Sequence, residues 1–134
     1  EVGNGEVIRY DPATNSFDVV FVPAGSSNIQ VPTGMVFSPD GVYVFLSRAA
    51  TSEDMGHSAA TGTFGDVFIP SGSGGLNEAE GMAFGPNGNL FVASELGHAV
   101  LEFDGSTGDF VGEFVAAGSH RLSEPTFITF GPEK

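Results

Sequence analysis

The chain has 134 residues and a mass of 13.8 kDa, the size of one domain rather than two. Four lysines and arginines stand against 17 aspartates and glutamates, a net charge of −13. That balance argues against nucleic acid as a partner and against electrostatic docking on an anionic membrane, since both require a surplus of cations.

There is no cysteine, which excludes disulfides, thiolate metal sites and cysteine nucleophiles. Nor is there an apolar run of the roughly eighteen residues that a membrane-spanning helix needs. Twenty glycines and eight prolines in a chain that is 40% hydrophobic point to many short strands and turns. The chain opens at Glu1 without an initiator Met, a basic segment or an apolar signal core, so the expectation is a processed product or a piece of a longer polypeptide. The acidity, the scarcity of Lys and the absence of Cys fit a secreted or extracytoplasmic bacterial protein.

In chain order, residues 1–23 hold two strands, Val7-Ile8-Arg9-Tyr10-Asp11 being the first, with Asp11-Pro12-Ala13-Thr14-Asn15 as the turn between them. Residues 32–70 hold four, among them the apolar run Val42-Tyr43-Val44-Phe45-Leu46, which suits a strand buried on both faces. Residues 79–115 hold four more. Gly81 to Phe84 and Leu90 to Ala93 flank the hairpin turn Pro86-Asn87-Gly88-Asn89. Val100 to Phe103 ends at Asp104-Gly105-Ser106-Thr107-Gly108, and Phe110 to Val115 follows. Asn-Gly and Asp-Gly supply the positive φ of tight hairpins, and Asp side chains bond nearby backbone N–H groups. Residues 125–131 read as one further strand.

These elements repeat. Phe21-Val22-Pro23-Ala24-Gly25 returns as Phe68-Ile69-Pro70-Ser71-Gly72 and Phe114-Val115-Ala116-Ala117-Gly118, at steps of 47 and 46 residues. Phe37-Ser38-Pro39, Phe84-Gly85-Pro86 and Phe130-Gly131-Pro132 keep the same steps. A period of about 46 residues holding four antiparallel strands is that of a propeller blade. The expected architecture is all-β, a β-propeller segment in one partial domain. Its parts are 1–31 (the end of one blade and a linker), 32–78 and 79–124 (two full blades with linkers) and 125–134 (the first strand of a further blade). So few blades cannot close a ring, which takes four to eight. The open ends invite association, either with another copy or with the remainder of a parent chain.

Pro32-Thr33-Gly34-Met35-Val36-Phe37-Ser38-Pro39-Asp40-Gly41, the segment Glu80 to Ala93 and Gly97-His98-Ala99-Val100-Leu101-Glu102-Phe103-Asp104 resemble NHL-type repeats. They are also similar to the blades of the SMP-30/gluconolactonase and streptogramin-lyase propellers. The resemblance implies a six-bladed ring, of which this chain is about half. It also implies a divalent cation such as Ca2+ in the central channel, held in part by a residue just before the glycine that opens an innermost strand. The matching positions are Thr33, Glu80 and Thr126, of which Glu80 alone is a carboxylate. In lyase-like relatives a channel-facing His serves as general base, and His98 is the candidate, with Glu95 placed to orient it.

The third strand of the middle blade departs from the repeat, reading Asp54-Met55-Gly56-His57-Ser58 after Glu53. Its glycine and polar residues predict a frayed outer strand or exposed loop. The alternative is a small oxygen-and-imidazole metal site of Glu53, Asp54 and His57. His120, beside Arg121 in a linker, is expected at the surface. Asp104 to Asp109 lacks the length and distal Glu of an EF-hand and reads as a hairpin turn. Ser71 to Leu76 has no Lys and opens no helix, so it reads as a flexible link rather than a phosphate loop. No serine lies in a Gly-x-Ser-x-Gly elbow. Fold implies no reaction. The reading is therefore a non-catalytic binding or scaffold module, with a divalent-metal-dependent lactonase- or lyase-like hydrolase as the alternative.

Overall fold

A computed structural model describes residues 5–26 and 31–132. It contains ten strands: β1 (Val7–Asp11), β2 (Ser16–Val22), β3 (Pro32–Phe37), β4 (Tyr43–Arg48), β5 (Glu53–Ser58), β6 (Phe64–Ile69), β7 (Ala79–Phe84), β8 (Leu90–Ser94), β9 (Ala99–Phe103) and β10 (Phe110–Val115). Strands β3-β4-β5-β6 form one four-stranded antiparallel sheet and β7-β8-β9-β10 another, while β1 and β2 pair by themselves. Short 3-10 turns lie at Ala49–Thr51, Ser73–Gly75 and Ser119–Arg121. The chain is a β-propeller segment: the last two strands of one blade, then two complete blades.

Turn chemistry sets the hairpins. The Asp40 carboxylate accepts from Val42 N–H at 3.0 Å, and the Asn87 carboxamide oxygen accepts from Asn89 N–H at 3.1 Å, one repeat later. Asp11 and Asp104 hold the outer hairpins in the same way, accepting from Ala13 N–H and Ser106 N–H at 2.8 Å each. Those backbone bonds hold the Asp104 carboxyl below its usual range, Ser106 N–H contributing most. Asp104 to Asp109 is thus a hairpin turn.

Each second strand lies between two neighbouring blades, which is why β4 and β8 are almost entirely buried and almost entirely apolar. The core accordingly sits in the seams. Val22, Val44, Leu46 and Met55 fill the first. Phe45, Ile69, Leu76, Ala79, Met82, Leu90, Val92, Leu101 and Phe103 fill the second. Removing a side chain of this size from water stabilises by about 1.5–3 kcal/mol.

An aromatic triad recurs across the seams. Phe45 of β4 lies 4.5 Å from Phe68 of β6 and 6.0 Å from Phe84 of the next blade's β7. One repeat on, Phe91 lies 4.8 Å from Phe114 and 4.9 Å from Phe130. Residues 125–131 do not form a strand, because no second strand lies beside them among the described residues. They nevertheless occupy the place of a first strand: Phe130 takes the position of Phe84, and Thr126 C=O accepts from Gly81 N–H at 3.1 Å.

Two further expectations are corrected. The third strand of the middle blade is neither frayed nor exposed. β5 pairs with β4 through six unbroken rungs, from Tyr43↔Ser58 to Arg48↔Glu53, and Asp54, Met55, Gly56 and His57 are buried. Its irregularities fall on the outer side, where the register with β6 shifts on either side of Met55 and Gly56. Burial between blades overrides the poor strand propensity of Gly and Asp. The link Ser71 to Leu76 is also built rather than loose: it contains a 3-10 turn, Leu76 is buried, and Gly74 packs on the Phe110 ring.

Gly62 and Gly108 hold left-handed turns, φ +70° and +77°, directly beneath the Phe21 and Phe68 carbonyls of the preceding blade. At Gly88, φ is +83° but the space around it is open. Gly88→Ala is expected to cost about 1 kcal/mol for conformation alone. Gly108→Ala adds a backbone clash to that and is expected to cost about 3 kcal/mol. Denaturant midpoints of the two variants compare them directly, and equal losses would show that the seam does not close on Gly108.

Candidate functional site

Thr33-Gly34 in β3, Glu80-Gly81 in β7 and Thr126-Phe127 in the first-strand place that follows are the positions marked for a channel cation. The Thr33 hydroxyl donates to Ala79 C=O at 2.8 Å, and the Ser47 hydroxyl donates to Glu80 C=O at 2.6 Å. The two hydroxyl oxygens are 3.2 Å apart. Gly34 is required here, since a Cβ would meet Glu80 C=O and the Ser47 hydroxyl. These groups join one blade to the next.

The Glu80 carboxyl is half-buried. Burial raises its pKa, and the negative charges of Glu95 and then Glu78 push it further the same way. A calcium ion wants six to eight oxygens. Among the described residues no group of three His, Cys, Asp or Glu side chains is placed to hold a metal ion. The described residues therefore do not by themselves make a calcium cage.

His98 lies at a seam, half-buried, with φ +54°. Its Nδ1 accepts from Glu124 N–H at 3.2 Å. Glu95 meets it through the backbone, its carbonyl accepting from His98 N–H at 3.1 Å. One repeat earlier the Ser52 hydroxyl accepts from Glu78 N–H at 2.8 Å, again with a left-handed φ of +53°. His98 and Ser52 thus make the same tie to the start of the next blade. With Nδ1 accepting, the neutral ring carries its proton on Nε2, and the lone pair that a general base needs is engaged with the backbone.

Glu53, Asp54 and His57 do not converge. Residues 53, 55 and 57 face one side of β5 and residue 54 the other, as strand alternation requires. The Glu53 carboxylate accepts from the Thr51 hydroxyl at 2.8 Å and from Arg48 Nη1 at 3.4 Å. Among the described residues these three are not grouped as metal ligands.

His57 is fully buried and stands in the repeat register of Tyr10 and Phe103. Its ring meets Phe64 at 5.6 Å and 63°, as Phe103 meets Phe110 at 5.8 Å and 65° and Tyr10 meets Phe17 at 6.5 Å and 85°. It is the aromatic of its blade, and burial pushes its pKa down. Asp54 takes the register of Val7 and Val100. It is fully buried opposite Ser47 and Ile69, and among the described residues neither carboxylate oxygen has a hydrogen-bond partner. Burial pushes its pKa up to about 8.

His120 is exposed in the last 3-10 turn, as expected of a linker residue. Sequence reasoning missed the seam polar groups, Ser47, Ser52 and Ser94. The Ser94 hydroxyl donates to Asn77 C=O at 3.1 Å and accepts from Asn77 N–H at 3.0 Å. The available signal was a hydroxyl closing each apolar second strand.

No protein-family model and no curated protein is similar enough to match the chain. Solved structures do match. A luciferin-regenerating enzyme aligns with a TM-score of 0.70 at 14% identity, over 95% of this chain and 40% of that one. A catalytically inactive virginiamycin B lyase from Staphylococcus aureus, solved with quinupristin, aligns at 0.60 and 13%, over 84% and 34%. The calcium-binding protein regucalcin from Agrobacterium tumefaciens aligns at 0.57 and 23%, over 75% and 34%. The chain spans well under half the length of each. At these identities the likeness is one of fold alone, the β-propeller.

Asp54 generates a test of sign. A carboxyl with a raised folded-state pKa holds its proton in the native state after the unfolded chain has released it. Its contribution is therefore full below pH 3.8 and is lost as pH rises to about 8. The slope across that window is at most about 1.4 kcal/mol per pH unit. Asp54→Val, which restores the residue of the other blades, is expected to raise neutral-pH stability and to flatten the profile between those limits. Urea unfolding across pH measures both, and a variant that keeps the slope would assign it elsewhere.

Proposed function

We propose that this chain is a non-catalytic binding and scaffold module of NHL-like blades, its ring completed by another copy or by the rest of a longer chain. One comparison carries the reading. Tyr10, His57 and Phe103 share one repeat position. His57 and Phe103 are 0% exposed, each covered by the preceding blade, whereas Tyr10 is 58% exposed beside the exposed Ile8 and Phe17. At the far end Phe114 and Phe127 are likewise open, Phe127 at 78%. Both ends present apolar surface of the kind that the interior seams bury, and such surface drives association. Two copies bring nearly six blades' worth of strands, the number that the resemblance implies, and a closed two-fold ring is an ordinary outcome of self-complementary ends. The groups on the channel side support the same reading, since Thr33, Ser47, Ser52 and His98 are engaged in joining blades.

The second reading is a divalent-metal-dependent lactonase- or lyase-like hydrolase. It is favoured by Glu80, a carboxylate at the matching position, whose pKa is raised by burial first and then by the charges of Glu95 and Glu78. A cation there would need further oxygens from blades outside this chain.

Light scattering coupled to size exclusion is expected to give twice 13.8 kDa. A monomer at every concentration would remove the self-completed ring. Calorimetric titration with Ca2+ is expected to give no heat and no shift in melting. Saturable binding would move the balance to the hydrolase reading, because a ligand held only by the folded state must stabilise it.

A further inference from the structure

One third-strand position carries a charged side chain in two blades and a glycine in the middle one. Arg9, Gly56 and Glu102 share it, each just before the aromatic position of Tyr10, His57 and Phe103. The Arg9 guanidinium lies 5.9 Å from the centroid of Phe21, the fourth-strand ring of its blade, and its Nε donates to the Asp18 carboxylate at 2.7 Å. The Glu102 carboxylate accepts from the Asn87 and Asn89 carboxamides at 2.8 and 2.7 Å. Each of these charges is answered within its own blade.

Gly56 leaves the matching place in the middle blade open. A cleft of about 480 Å3 is lined there by Asp40, Tyr43, Phe45, Asp66 and Phe68, and the next blade bounds it with the turns at Gly88 and Gly105. Both blades are complete, so the cleft lies away from either end of the chain. The rings form one surface, Phe45 lying 4.5 Å from Phe68 and 6.3 Å from Tyr43. A Cβ on Gly56 would stand 3.2 Å from Asp66 Oδ1 and 3.5 Å from Phe45 Cε1, so the carboxylate lies over the glycine and beside the ring. Asp40 enters from the hairpin turn, where the Ser38 hydroxyl and then Val42 N–H bond its Oδ1 and hold the carboxyl below its usual range. Among the described residues that line the cleft none is Lys, Arg or His. The setting is that of Arg9, a fourth-strand phenylalanine with a fourth-strand carboxylate, without the guanidinium.

We propose that this cleft binds a small alkylguanidinium cation, which takes the place that Arg9 holds in the first blade. Its plane lies on the aromatic surface, its N–H groups are directed to Asp66 and Asp40, and its alkyl stem covers the rings. A guanidinium suits the site better than an ammonium, because it is planar, weakly hydrated and able both to stack on a ring and to fork onto a carboxylate. Two carboxylates without a resident cation repel anions and leave a neutral ligand without the charge-assisted bonds that reward entry. The cleft lies at the hairpin ends of β3 and β4, the opposite ends of the strands from Thr33, Glu80 and His98. It is therefore separate from the groups near the channel and independent of the scaffold reading.

The probe is n-butylguanidinium, titrated into the intact chain by calorimetry and followed through backbone amide NMR shifts. Saturable binding is expected, with shifts at Tyr43, Asp66 and Phe68. n-Butylurea, which has nearly the same shape and no charge, is expected to bind about tenfold more weakly or worse, and Asp66→Asn to weaken n-butylguanidinium by a similar factor. Gly56 lies in β5 without a positive φ, so Gly56→Arg installs the residue of the first blade. That variant is expected to fill the cleft from within, abolishing binding with no fall in melting temperature. Asp66→Asn, at an exposed side chain, keeps the test open where Gly56→Arg does not fold. No saturable binding, equal binding of n-butylurea, or undiminished binding by Asp66→Asn would overturn the proposal. Monomer and dimer give the same readout, so failure here leaves the scaffold reading standing and failure of that reading leaves this site untouched.

Discussion

The structure depends on the contact between one blade and the next. A four-stranded sheet whose second strand is apolar on both faces cannot stand alone, because one of those faces always needs another sheet. Here the need is met at two successive seams by three phenylalanine rings from three different segments. At the first of these it is met also by the Thr33 and Ser47 hydroxyls, which donate to the Ala79 and Glu80 carbonyls of the next blade. The rings supply burial and the edge-on and tilted geometry that aromatic clusters favour. The hydroxyls fix how far one blade slides along its neighbour, since a carbonyl buried at the seam must be satisfied at one register.

That constraint governs the polar residues near the channel. Thr33, Ser47, Ser52 and His98 belong to residue types that can act on a substrate, and each is engaged by backbone from the adjacent blade. Beside them stands Glu80, whose carboxyl is pushed above its usual range by burial first and then by the charges of Glu95 and Glu78. A propeller hosts many functions by varying such rim residues on a constant frame. In this chain the frame accounts for most of the rim.

The middle blade shows how far position can override residue type. β5 carries Gly56, Asp54 and His57 where its counterparts carry apolar and aromatic residues, and it remains a buried, fully paired strand. His57 succeeds as a substitute aromatic because its ring meets Phe64 as Phe103 meets Phe110. Asp54 has no such compensation, and a carboxyl without partners in a dry seam is a local cost that the surrounding packing absorbs. Both were misread from sequence for one reason: strand propensity judges a residue by its type, whereas burial here is decided by the sheets on either side.

The repeat of 46 to 47 residues, the four-strand blade, the Asp and Asn hairpins and the apolar second strands were legible in the amino-acid sequence, because each rests on local periodicity or on a turn that one residue type satisfies. Glu80 and His98 were legible as polar residues at the right register. Their surroundings were not, since Glu95 comes near Glu80 only once β7 pairs with β8, and Glu124 comes near His98 only once the chain turns into the next blade position. The tertiary structure alone decided that Ser47 and Ser52 bond across blades, that among the described residues the buried Asp54 carboxylate has no hydrogen-bond partner, and that residues 125–131 take a first-strand place with no described strand beside them. All three depend on contacts between segments that lie far apart in the chain or in separate sheets, and no short-range pattern encodes those.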